Sequence, residues 1–132
     1  MTYAETAANW WAHKVSSPTL DNYDMGEPGQ VGGMTMILAT MNAMNRKAEP
    51  ADVETFRTKL VSFIEEEIAK NNELRLSTDY GPDYQLAKLA DECHIPTELF
   101  PWKTMMWISP DSVKVSCGYG KPAVTIFGVQ SE

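Results

Sequence analysis

The sequence predicts an α+β fold, with N-terminal helices packed on a C-terminal antiparallel β-sheet of three to four strands, and three observations predict it. Apolar residues recur at helical spacing as far as Ile68. After Asn72 the apolar period shortens to two. The segments of period two beyond Lys103 are joined by short turns, which make neighbouring strands antiparallel.

The first element is a helix. Thr2 and Glu5 stand at the spacing of a capping box, and Tyr3, Ala7, Trp10, Trp11 and Val15 then fall on one stripe. Adjacent Trp10 and Trp11 point about 100° apart on a helix, so one belongs to the core and the other to its edge. Ser16-Ser17-Pro18 stops the helix, because proline drives the residue before it out of the helical region. A loop rich in Pro, Gly, Asp and Asn follows from Pro18 to Gly29.

A second stripe, Val31, Met34, Leu38, Met41 and Met44, with Ile37 beside it, predicts a buried helix over Gln30 to Arg46. Glu49-Pro50-Ala51-Asp52 starts the next helix, with proline at its first position and acids in its first turn. Val53, Phe56, Leu60, Phe63, Ile64 and Ile68 form its apolar face, and Asn71-Asn72 ends it.

Glu73 to Thr78 alternates as a strand and runs into Asp79-Tyr80-Gly81-Pro82-Asp83. Leu86, Leu89, Ala90 and Cys93 share one face of a short helix that Ile95-Pro96 closes. Thr104 to Ile108 is an apolar strand, Ser109-Pro110-Asp111-Ser112 a turn, Val113 to Cys117 an alternating strand and Val124 to Phe127 the last. The earlier Leu74 to Thr78 strand joins these three as a fourth.

With 132 residues, 43% hydrophobic and 22% charged, the chain suits a single domain that buries an ordinary core. Eleven basic against eighteen acidic residues give a net charge of −7, which argues against a general binder of duplex nucleic acid. No stretch approaches the ~18 apolar residues of a membrane span, and Glu5 stands where a signal peptide is basic, so a cytoplasmic protein is expected. In that compartment Cys93 and Cys117 are expected as two buried, reduced thiols.

Chemistry is sought in the loops. Asp21, Asn22, Asp24 and Glu27 are close together, but the spacing fails the pattern of a calcium loop and suits turn capping. Asp79 and Asp83 read either as helix-start residues or as paired carboxylates in a cleft beneath Tyr80. Gly118-Tyr119-Gly120-Lys121 precedes a strand and lacks the hydroxyl residue of a phosphate loop; it reads as a turn, or as an open hairpin where Tyr119 stacks and Lys121 pairs with a nucleotide. An exposed Trp among Trp10, Trp11, Trp102 and Trp107 would mark an interface. The methionines and tryptophans also suit a homodimer interface. No arrangement of nucleophile and base is recognisable, and no cofactor motif is present.

The runs Ser77 to Asp83, Leu99-Phe100-Pro101-Trp102-Lys103-Thr104 and Gly118-Tyr119-Gly120 resemble small open reading frames of phages and mobile elements in Firmicutes. The likeness covers roughly the C-terminal half. It implies a setting, host take-over or the countering of host defence, and no residue roles. The leading expectation is therefore a non-enzymatic binding protein that inhibits a bacterial defence system. It would either block a basic groove of a defence protein with its acidic surface or sequester a nucleotide signal. Asp79, Tyr80, Asp83, Trp102, Lys103, Tyr119 and Lys121 are the expected binding residues, with Arg75 adding local positive charge. The rival expectation is a small metal-dependent hydrolase or nuclease using Asp21, Asp24, Asp79 and Asp83.

Overall fold

A computed structural model describes residues 2–16, 48–79, 81–118 and 120–128. The predicted Gln30 to Arg46 helix, the Pro18 to Gly29 loop with Asp21 and Asp24, and Tyr80 and Tyr119 lie outside the described residues.

Helix α1 (Tyr3–Ser16) begins with the predicted capping box. Thr2 N–H donates to Glu5 Oε1 (3.0 Å) and Glu5 N–H to Thr2 Oγ1 (3.1 Å), which occupies two donors that a helix start leaves open. Its buried face is mostly small: Ala4, Ala7, Ala8 and Ala12 beside Trp11 and Val15. Four alanines let helix α2 (Pro50–Asn71) lie close against α1. Phe56, Leu60, Ile64 and Ile68 supply the facing stripe at successive four-residue steps. Each such side chain contributes roughly 1.5–3 kcal/mol on burial. Asn72 closes α2 in the left-handed region at φ 63°, its N–H bonded to the Ile68 carbonyl (2.8 Å).

Trp11 is fully buried and Trp10 half-buried, as their divergence on the helix requires. The two rings meet edge to face at 4.9 Å, and Phe100 packs against both Trp11 (6.1 Å) and Phe56 (5.8 Å). This aromatic cluster joins α1, α2 and the segment leading to the sheet.

The sheet is the predicted four-stranded antiparallel meander in the order β1 (Leu74–Ser77), β2 (Thr104–Ile108), β3 (Val113–Cys117), β4 (Val124–Phe127). Leu76 stands opposite Met106, and Met106 opposite Val115, all buried against the helices. Because side chains alternate, the intervening row Arg75, Trp107, Lys114 and Thr125 lies on the other face. The β2–β3 turn has Pro110 at its second position, with Ser109 N–H to the Ser112 carbonyl at 2.9 Å. A register shift at Val113/Lys114 marks a bulge between β3 and β4.

Helix α3 (Tyr84–Glu92) falls between β1 and β2. It ends in a Schellman motif, with Ile95 N–H on the Ala90 carbonyl (2.9 Å), His94 N–H on the Asp91 carbonyl (3.3 Å) and His94 left-handed at φ 58°. Ala90 and Ile95 are both buried, which supplies the apolar contact of that motif.

Two expectations need correction. Strand β1 stops at Ser77, and Thr78 instead forms an isolated bridge to Pro82 while Thr104 N–H donates to its hydroxyl (3.0 Å). Cys93 is buried, and desolvation raises its thiol pKa, but Cys117 is exposed. Strand β4 pairs no further along β3 than Val124 opposite Val115, so Cys117 projects past the end of its neighbour. Both cysteines are free. No helix among the described residues is long and apolar enough to cross a membrane.

Candidate functional site

Of the expected binding residues, the meander brings the described ones, Asp79, Asp83, Trp102, Lys103 and Lys121, to one end of the sheet. The end of β1, the start of β2, the end of β3 and the start of β4 all lie there, because antiparallel neighbours run in opposite directions. Asp79 and Lys103 meet directly, with Lys103 N–H donating to the Asp79 carbonyl (2.7 Å). Lys103 is held at φ 54°, a left-handed conformation that costs a non-glycine residue about 1–2 kcal/mol. The paired carbonyl and the Thr78–Thr104 bonds beside it hold that conformation in place. Trp102 is half-buried and its carbonyl accepts the Thr104 hydroxyl (3.1 Å).

Asp83 does different work. Its Oδ1 accepts Leu86 N–H (2.9 Å) as the cap of α3, and its Oδ2 accepts Ser77 N–H (2.9 Å) on the outer edge of β1. Asp83 N–H also donates to the Ser77 carbonyl (2.9 Å). Both carboxylate oxygens are thereby committed to the backbone, and Asp83 fixes the loop rather than facing a cleft with Asp79. Among the described residues no group of three or more His, Cys, Asp or Glu is placed to hold a metal ion.

At the β3–β4 turn Lys121 is exposed, and its stem crosses Gly118 so closely that a Cβ there would meet Lys121 Cδ at 2.9 Å. Ser116 Oγ, which the turn covers, lies 2.9 Å from the Lys121 carbonyl and 3.1 Å from that of Gly118. Gly120 sits at φ 77°, the region where glycine is preferred. Lys121 also borders an apolar cavity of about 420 Å³ formed by Trp10, Val115, Pro122, Val124 and Ile126.

The outer face of the sheet carries a more concentrated arrangement. Arg75 is directly opposite Trp107 on one side and Lys114 is directly opposite it on the other. Strands lie about 4.8 Å apart, so each cation flanks the indole at the distance of one strand. Trp107 is 40% exposed, and neither Arg75 nor Lys114 has an ion-pair partner among the described residues. Beside Trp107 opens a cavity of about 750 Å³, lined by Glu67 and Asn71 of α2, Glu73, Leu74 and Arg75, Gln85 of α3, and Ser109 and Ser112 of the turn. That volume lies within the range of small-molecule sites.

The sequence named Arg75 as a source of charge and an exposed tryptophan as an interface mark, but it did not join Trp107 to Lys114. The alternation of β2 and β3 was the available signal. What it lacked was the register that sets Arg75, Trp107 and Lys114 in one row.

No family model and no curated protein matches this sequence.

Proposed function

We propose that the protein is a non-enzymatic binding protein that captures a small nucleotide on the outer face of its sheet. We place it against a bacterial defence system signalled by such a nucleotide, the setting implied by its resemblance to small phage and mobile-element proteins. The observation that supports this reading is the row Arg75, Trp107, Lys114. An exposed indole on a sheet is a stacking platform for a base, worth about 1–3 kcal/mol per base. Cations on both sides are suited to the phosphate, through charge-assisted hydrogen bonds.

The overall charge sets the size of the ligand. A chain of net charge −7, with Glu67 and Glu73 at the rim of the cavity, repels an extended polyphosphate backbone. One nucleotide, or a compact cyclic one, brings the base to the indole with few phosphates to repel. Sequestration requires no turnover, so the reading needs neither a catalytic pair nor a metal.

Calorimetric titration of the full chain with mononucleotides and cyclic dinucleotides tests the proposal. Stoichiometric binding without turnover is expected, weakened about tenfold or more by Trp107→Ala and several-fold by Lys114→Ala. Failure of every nucleotide to bind at millimolar concentration overturns it and leaves a protein target as the ligand to seek.

A further inference from the structure

Resting on the reading of the Trp107 face as a nucleotide platform, we infer that the cavity beside it selects guanine, through the carboxylate of Glu73. The lining divides the ligand in two. On the β1 side are two carboxylates, Glu67 and Glu73, with the amides Asn71 and Gln85 and one cation, Arg75; on the β3 side, beyond Trp107, is Lys114, which faces none of these carboxylates. The two carboxylates outweigh Arg75 on the first side, so a phosphate is favoured at Lys114, which turns the base toward the carboxylates.

The carboxylates then discriminate among bases by what each base edge offers. An ionised carboxylate only accepts hydrogen bonds. Guanine presents two adjacent N–H donors, at N1 and at the exocyclic N2, and so meets both oxygens of one carboxylate. Adenine and cytosine each set a single amino donor beside a ring nitrogen that accepts, and uracil sets one N–H between two carbonyls. Those acceptors face the carboxylate oxygens and are repelled.

Glu73 is the carboxylate that can turn to the base. Glu67 Oε2 already accepts the Asn71 side-chain amide (3.2 Å), whereas Glu73 is exposed and makes no ion pair among the described residues. It stands two residues before Arg75, just ahead of β1, and both line the cavity. Arg75 thus stands on the base side, across Trp107 from Lys114.

Guanosine and inosine monophosphates are the discriminating pair, because they differ only in the N2 amine. Titration of the full chain is expected to show GMP binding about tenfold tighter than IMP or AMP, in line with the discrimination a bidentate pair gives elsewhere. Glu73→Gln is expected to bring GMP within about twofold of IMP. Equal binding of GMP and IMP, lost in Trp107→Ala, overturns the guanine assignment and leaves the platform standing. Absence of binding by all three, and by the cyclic dinucleotides, overturns both.

Discussion

Asp83 and Ser77 hold each other by two hydrogen bonds, side chain to N–H and N–H to carbonyl, each 2.9 Å long. Ser77 is the last residue of β1, so the contact closes the outer edge of the sheet at the point where the chain leaves it for α3. An open strand edge invites pairing with another chain. Here one aspartate caps a helix and covers an edge at once.

Replacing Asp83 removes both functions. Asp83→Ala is expected to lower stability by about 2–3 kcal/mol, combining a lost cap with an unpaired strand N–H. Asp83→Asn keeps one acceptor oxygen and is expected to lose about half as much. Urea unfolding followed by circular dichroism measures both, and equal stability of the Ala variant and the parent would show that neither bond matters.

Gly128 follows β4 at φ 92°, and a Cβ there would stand 2.1 Å from the Asp111 carbonyl oxygen. The obstruction is backbone, which cannot step aside as a flexible side chain can. Gly128→Ala is therefore expected to cost at least about 2 kcal/mol. Gly81→Ala, where a Cβ meets nothing within 4 Å, is expected to change stability by no more than about 0.5 kcal/mol. Thermal melts of the pair check the contrast.

His94 occupies the left-handed position of the Schellman motif, where glycine is unstrained. Relief of about 1–2 kcal/mol of strain outweighs the ~0.5–1 kcal/mol of extra chain entropy that glycine brings to the unfolded state. His94→Gly is accordingly expected to raise stability by about 0.5–1 kcal/mol. A lower melting temperature for the variant would refute the balance.

Glu5 titrates below the usual glutamate value of 4.5, because the Thr2 backbone N–H and then the Thr2 hydroxyl stabilise its charged form. A carboxylate whose pKa falls on folding adds stability above its unfolded value, and that stability disappears as pH drops through the folded one. Glu54 behaves alike, lowered by its hydrogen bond with Arg57. Acid titration of the helical signal is expected to show Glu5→Gln less sensitive than the parent below pH 4.5, since the amide keeps an acceptor without titrating.

The helices were legible because each carries its own evidence. Trp11 and Val15, or Phe56, Leu60 and Ile64, share a face by spacing alone, and Thr2 with Glu5 or Pro50 with Asp52 mark where the helices begin. The meander followed from short turns. The double role of Asp83 was half visible: its place before an apolar helical stripe announces a cap, but its bond to Ser77 depends on how the loop folds back. Gly128 gave no signal, because its neighbour Asp111 belongs to another turn. The row Arg75, Trp107, Lys114 stayed hidden for a related reason. Its three residues come from strands whose register is set by the Ser109–Ser112 turn and by the long α3 connection.

The central claim is that a nucleotide base stacks on Trp107, and the indole N–H signals in a proton–nitrogen NMR spectrum test it most directly. The Trp107 signal is assigned by its loss in Trp107→Phe. Addition of GMP is expected to move that signal progressively with concentration while the signal of buried Trp11 stays in place. A Trp107 signal that does not move at saturating nucleotide, or movement confined to Trp10 or Trp102, contradicts the account.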